Sequence, residues 1–229
     1  MTPRRVALSL PLLFLALSLD RVLPEAAVAP PPPSSVAAAA AAVPRWPAFN
    51  EGRLGRVGNP VNLAFAGSPQ AVRAALEGAG WTEVPRTIRG SLWAGLKELL
   101  AGEPVAATPP MNDYRLAGRV QDLNWAQPTS FLRSRHHFRL WRTGETDARG
   151  RDLWWGAGDY DLDVRWHDLS HVRDPDLDAE RDFIAASLAA SPLVERVSLI
   201  SHPGVPLSGA NDKGYAFRTD GRVAVVELR

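Results

Sequence analysis

The chain contains no cysteine, and that single absence removes disulfides, thiolate metal centres and thiol nucleophiles together. An excess of one charge is also lacking, since 26 Lys and Arg face 25 Asp and Glu for a formal +1. A dedicated nucleic-acid binder normally carries a basic excess, so nucleic acid is not an expected partner. Long apolar runs are missing too. The run from Val6 to Leu19 falls short of the roughly 20 residues of a membrane-spanning helix. Gly-rich phosphate loops and a Gly-x-Ser-x-Gly nucleophile elbow are absent. What remains, at 229 residues, is long enough to bury a core without covalent staples.

Arg4 and Arg5 precede the Val6 to Leu19 run, the pattern of a signal peptide or an amino-terminal anchor over residues 1–23. Ala27-Val28-Ala29 has the small-x-small form of a cleavage site, although Pro30 would then open the mature chain. Residues 24–58 are dominated by proline, alanine and small side chains, which bury too little apolar area to offset ordering entropy. They are expected to form a disordered tether. The folded domain is expected over residues 59–229, exported to the periplasm or cell exterior and tethered to the membrane by its leader.

Chemically capable side chains concentrate in Arg133-Ser134-Arg135-His136-His137-Phe138-Arg139-Leu140-Trp141. As a strand, this segment puts Arg133, Arg135, His137, Arg139 and Trp141 on one face, and His136, Phe138 and Leu140 on the other. Leu153-Trp154-Trp155-Gly156-Ala157-Gly158-Asp159-Tyr160-Asp161 follows a polar turn and supplies a hairpin partner. A turn centred on Asp147 would pair Arg139 with Trp155, His137 with Ala157, Arg135 with Asp159 and Arg133 with Asp161.

Around this hairpin the sequence predicts an α+β domain, a mostly antiparallel sheet carrying about three helices. Residues 61–65 read as a first strand. Ser68-Pro69 caps a helix through Val72, Ala75 and Leu76 that stops at Gly78 to Gly80. A second helix begins at Thr87 or Ser91 and runs to Gly102. Asp174-Pro175 opens a third, with Asp176, Asp178 and Glu180 near its positive end. Residues 194–200 form a strand. Residues 215–226 form a closing hairpin with Asp220-Gly221 as a type I′ turn.

Four segments together carry a resemblance. They are Gly118-Arg119-Val120-Gln121-Asp122, Arg135 to Trp141, Trp155-Gly156-Ala157 with Asp161, and Asp174-Pro175-Asp176-Leu177-Asp178-Ala179-Glu180-Arg181. In this order, with the closing Thr219-Asp220-Gly221, they resemble the LssY C-terminal-domain family, from about Asn59 onward. The family has no established biochemical role. In some bacterial proteins such a domain follows a multi-spanning portion resembling DedA proteins and lipid phosphatases of the acid-phosphatase type. The resemblance thus implies a setting of envelope lipid or phosphate chemistry. No multi-spanning stretch occurs here, so phosphatase activity is not carried over.

Three functions stay open at the level of sequence. Arg119, Arg135 and Arg139 are planar forks suited to phosphate or carboxylate, and with His137 they form a candidate site for an anionic envelope ligand. A membrane-associated partner is the other expected kind. A metal-assisted hydrolase would hold a divalent ion with His137, His171, Asp178 and Glu180; no other cofactor is expected. An interaction module would instead use Asp159, Asp161, Asp178 and Glu180 to neutralise the arginines internally. The tryptophans Trp125, Trp141, Trp154 and Trp155 line either a sugar or lipid pocket or simply the core.

Overall fold

Two long strands carry the middle of the fold in the computed structural model, which describes residues 41–85, 111–129, 134–165 and 170–229. They are β8 (Arg135–Thr146) and β9 (Asp152–Arg165), paired antiparallel. To one side of β8 lie β7 (Leu123–Pro128) and β4 (Thr82–Glu83). To the other side of β9 lie β3 (Leu63–Ala66), β14 (Arg222–Leu228) and β11 (Val194–Ser201). The β14–β3 pair is parallel, and every other pairing in this sheet is antiparallel. The short β10 (Ser170–Arg173) adds to the far end of β9.

Period-two alternation divides the sheet into two faces. Leu63, Phe65, Trp125, Phe138, Leu140, Trp154, Val226 and Leu228 point to one face. There they pack on α1 (Pro69–Gly78) through Val72, Ala75 and Leu76, and on α2 (Leu177–Ala189) through Ile184 and Leu188. Ser68 Oγ caps α1 by accepting from the Ala71 amide at 3.2 Å, with Pro69 at the first helical position. A Cβ on Gly158 would sit 2.7 Å from Ile184 Cδ1, so the missing side chain sets how closely α2 approaches β9. Ala64, Ala66, Trp141, Trp155, Ala157, Val223 and Val225 point to the opposite face.

That second face is covered by a small sheet of β2 (Val57–Pro60), β1 (Phe49–Glu51), β5 (Arg115–Leu116) and β6 (Arg119–Val120). A two-stranded ribbon, β12 (Ser208–Ala210) and β13 (Ala216–Arg218), completes the set.

Several expectations need correction. The fold takes in residues assigned to the tether: a 3-10 turn spans Val43–Arg45, and Ala42, Val43 and Trp46 are buried. Alanine and proline hide this segment in composition, yet one tryptophan with Val43 anchors it. The hairpin register differs by two from the expected one, with Arg135 opposite Asp161, His137 opposite Asp159 and Arg139 opposite Ala157. The turn is centred near Arg149, with Thr146 opposite Asp152, rather than at Asp147, and an irregularity between Arg142 and Thr146, where Gly144 has a φ of 84°, takes back half of that displacement. A shift of two preserves both faces.

The closing hairpin is also different. β13 pairs with β12, while β14 pairs with β11 and β3. Asp220 has ordinary backbone and Gly221 alone of the pair is left-handed, at φ 74°. The Thr219-Asp220 segment docks on the start of α2 instead, where Asp178 accepts from the Thr219 hydroxyl at 2.7 Å and the Asp220 amide at 2.7 Å. The cap of α2 is Asp176, two residues after the expected Asp174, and accepts from the amides of Asp178 and Ala179 at 3.1 Å. Among the described residues there are two α-helices. The helix expected from Thr87 or Ser91, and the leader over residues 1–23, lie outside them. No described helix is long and apolar enough to cross a membrane.

Candidate functional site

Strand β9 presents Asp159 and Asp161 on the face away from the helices, and β8 presents Arg135, His137 and Arg139 beside them. His137 Nε2 lies 2.5 Å from Asp159 Oδ1, and its Nδ1 lies 3.6 Å from Asp161 Oδ2. Arg135 Nε donates to Asp161 Oδ2 at 3.2 Å. From β10, opposite Asp161, Arg173 donates to Asp159 Oδ2 through Nη1 and stands 3.8 Å from Asp161 through Nε. Asn59 Nδ2 also donates to Asp159 Oδ2, and Asn211 Nδ2 donates to Asn59 Oδ1 at 2.8 Å.

All of this is removed from water. His137, Asp159 and Asp161 are no more than 2 % exposed. Burial alone would raise the Asp159 carboxyl, but Arg173 and then His137 outweigh it and hold it well below the usual carboxylate range. Arg173 is correspondingly raised, because Asp159 and Asp161 overcome its desolvation.

Arg139 is different. It is 3 % exposed, and among the described residues it makes one hydrogen bond, from Nε to the Asn112 carbonyl at 3.3 Å. No described carboxylate comes within ion-pair distance. Its guanidinium lies over the Tyr114 ring, 4.6 Å from the centroid. Burial lowers its pKa, Asp159 opposes that from a distance, and Arg173 adds to it. Burial likewise pushes the Tyr114 hydroxyl up to about 12. Above them sits the tip of the β12–β13 ribbon, where Tyr114 Oη donates to Asp212 Oδ1 at 3.1 Å. Lys213 follows at that tip, exposed, its pKa lowered by partial desolvation and then by Arg173 and Arg139.

The structure thus brings together Arg135, His137, Arg139, Asp159 and Asp161 of the residues singled out from sequence. It does not bring Asp178, Glu180 or Arg119 to them. Glu180 lies on the helix face, where its Oε2 meets His136 Nδ1 at 2.6 Å. His136 is sandwiched between the rings of Tyr160 and Phe183. Burial, outweighing the bond to His136, raises the Glu180 carboxyl. Asp178 bonds Arg181, Thr219 and Asp220. The expected meeting of Arg135 or Arg139 with Asp178 or Glu180 does not occur, because α2 packs on the opposite side of the sheet from His137. Arg119 is exposed, with Nη1 on the Arg142 carbonyl at 2.8 Å and Nη2 near Asp122.

The ligand set proposed for a metal is therefore dispersed, and the His171 side chain lies outside the described part of the chain. Three other groups do converge: His137, Asp159 and Asp161 each offer a ligand atom within 4.8 Å of the others. Arginines already neutralise both carboxylates, so a cation there would compete with Arg135 and Arg173.

Asn59, Tyr114, Arg173 and Lys213 were not picked out from sequence. Arg173 was detectable, since Ser170-His171-Val172-Arg173 alternates like a strand just before the Asp174-Pro175 signal. The others come from turns and the covering sheet, which carry no periodic signature.

An α+β sheet covered by helices on one face and a buried charged cluster on the other defines the class. The family model described as LssY C-terminus matches residues 42–223, and the chain belongs to that family. Among curated proteins and among solved structures, none matches the chain.

Proposed function

We propose that the domain recognises a phosphate- or carboxylate-bearing ligand of the cell envelope at Arg139. The observation that carries this reading is a buried guanidinium with no carboxylate of its own among the described residues. Leaving a charge buried and uncompensated costs several kcal/mol, on the order of 3–5. An anion docked against the free edge of the fork would offset that cost, through the charge-assisted geometry that guanidinium favours. Lys213, at the ribbon tip, lies close enough to Arg139 and Arg173 for both to lower its pKa after desolvation, which adds a second cation on that side. Arg135 and His137 act indirectly in this scheme, holding Asp161 and Asp159 in place so that those carboxylates stay with Arg173. The alternative of a metal-assisted hydrolase would now draw on His137, Asp159 and Asp161.

Titration of the purified chain with inorganic phosphate tests the proposal. Melting temperature should rise with phosphate, and the rise should disappear in Arg139→Met with the fold retained. A phosphate response that survives in Arg139→Met sinks the assignment. A response to zinc or manganese that needs Asp159, with none to phosphate, would favour the hydrolase.

A further inference from the structure

The hairpin between β1 and β2 carries at its tip a residue that breaks two local rules at once. Leu54 and Gly55 take successive left-handed conformations, at φ 61° and 70°, as a type I′ turn requires of its two central residues. Glycine accepts that conformation freely and asparagine tolerates it, but leucine is strained by it. The strained side chain is also 87 % exposed, and Val57, three residues on, is 57 % exposed. Conformation and solubility would both favour asparagine at position 54. At that exposure Leu54 gives the fold almost no packing, so the reason for a leucine lies outside the chain. We propose that this tip is a docking surface for an anionic lipid bilayer, with Leu54 and Val57 entering the apolar boundary and Arg56 and Lys213 holding lipid phosphates. This inference is independent of the anion reading at Arg139.

The backbone places the cations. Arg56 closes the turn, its carbonyl accepting from the Gly52 amide at 2.7 Å, and its side chain is exposed. Lys213, also exposed, comes from the tip of the β12–β13 ribbon. The two tips lie side by side. A Cβ on Gly52 would collide with the Asp212 carboxylate, so a glycine there lets the ribbon come this close. Asp212 brings a negative charge to the same place, but its Oδ1 accepts from the Tyr114 hydroxyl at 3.1 Å, which turns it toward a buried ring.

Leu54 is the middle residue of the five that join Glu51 to its partner Val57, so it stands furthest from the sheet. The Gly52–Arg56 bond closes those five residues into a fixed loop. A side chain presented by a fixed loop loses little freedom on insertion.

A bilayer surface has its parts in the matching order. Anionic phosphates lie outermost, within reach of an arginine or lysine head, and the apolar boundary lies about 5–10 Å deeper. Long basic side chains bury their stems beside apolar residues and still hold phosphate. Other partners fit less well. A standard protein interface buries about 800 Å² on each side, and a turn apex with two apolar side chains offers a small fraction of that. Nucleic acid would use the cations but leave Leu54 and Val57 in water.

The chain has no cysteine, so a single Val57→Cys carries an environment-sensitive NBD fluorophore at one defined place. Residues 1–23 hold an apolar run of their own, so the readout must be local to the tip. The full chain is titrated with mixed phosphatidylglycerol and phosphatidylcholine vesicles, with and without a doxyl quencher on the acyl chains. Emission should shift to the blue and be quenched by the doxyl lipid, whereas the same fluorophore at Leu199→Cys, on β11, should do neither. Adding Leu54→Asn should raise the lipid concentration for half the shift about tenfold. Its melting temperature should stay level or rise, because asparagine relieves the turn. Arg56→Gln should raise that concentration about fivefold on the mixed vesicles and leave it unchanged on pure phosphatidylcholine. The melting-temperature response to phosphate, which reads Arg139, should be the same in Leu54→Asn. Absence of a blue shift overturns the proposal, as does an equal shift in Leu54→Asn or equal quenching at position 199. A fall in the melting temperature of Leu54→Asn also overturns it, by assigning the leucine to the fold.

Discussion

Arg181 and Arg139 are both buried arginines, at 1 % and 3 % exposure, and they are treated in opposite ways. Arg181 is saturated. Its Nη1 donates to Asp178 at 2.9 Å, to Asp220 at 2.6 Å and to the Arg222 carbonyl at 3.1 Å, and its Nε donates to Asp182 at 2.8 Å. Desolvation would lower its pKa, but these partners, Asp182 and Asp220 first, raise it. Arg139 has one carbonyl acceptor and an aromatic ring, and its pKa falls. The first arginine ties α2 to the turn before β14. The second is a donor fork held dry with most of its capacity unspent. The same residue type therefore serves architecture in one place and supports a binding role in the other.

The widest separation between the two should appear in stability. Arg181→Met takes the buried cation from Asp178, left with the Thr219 hydroxyl and the Asp220 amide, and from Asp220, left with Arg222, and a fully buried case would lose roughly 3–5 kcal/mol. Because those acids are about a quarter to a third exposed, the expected loss in urea unfolding is about 2–4 kcal/mol. Arg139→Met should leave stability unchanged or raise it by about 1–4 kcal/mol, since an apolar side chain of similar volume removes the cost of an uncompensated buried charge. Equal losses in the two variants would erase the distinction.

A subtler break comes at Gly221, whose φ of 74° delivers Asp220 to Arg181. Gly221→Val forces a β-branched residue into the left-handed region and should cost about 1–3 kcal/mol. Phosphate binding at Arg139 should survive it. Loss of phosphate binding with full stability would mean that the two regions are not separate.

The smallest effect is a difference in pH dependence between the two faces of β8. Asp159 is depressed in the fold, so the stability it contributes is present above its ordinary value of 3.8 and drains away as pH falls below it. Glu180 is raised, so its contribution is present below its ordinary 4.5 and is lost as pH rises through its higher folded value. Glu180 Oε1 has no hydrogen-bond partner among the described residues, consistent with a carboxyl that resists ionisation. Glu180→Gln should therefore make stability between about pH 4 and pH 7 less dependent on pH. Chemical denaturation across that range checks it, and an unaltered slope would place the titration elsewhere.

The partition of β8 into a charged and an apolar face was legible because alternation in Arg135 to Trp141 has only one reading. Partners across the hairpin were not, since Gly144 and the Asp147 loop, whose Oδ1 accepts from the Arg149 and Arg151 amides at 2.9 Å, add residues that no pattern announces. The acidic start of α2 was visible, but its destination was not. Three glycine- and asparagine-dependent contacts fix that destination: Gly158 under Ile184, and Asn62 bonding both Gly158 and the Leu177 carbonyl. Trp46 was missed because a single aromatic in a proline-rich stretch leaves no periodicity, though it packs edge to face on Trp155. The family resemblance was legible in the combination of motifs, and the matched span begins at residue 42, ahead of Asn59.

The parallel pairing of β14 with β3 has a consequence for how the chain is made. Residues 63–66 leave the ribosome more than a hundred and fifty residues before the strand that covers their open edge, residues 222–228. Until then β3 can recruit β9 on one side only, and its other side is an unpaired apolar edge of the kind that templates aggregation. Closure of the sheet must await a contact of very long sequence separation, which places the domain among slow folders. A nascent chain of this design spends its vulnerable interval late, and whatever shields that edge during synthesis governs how much protein reaches the folded state.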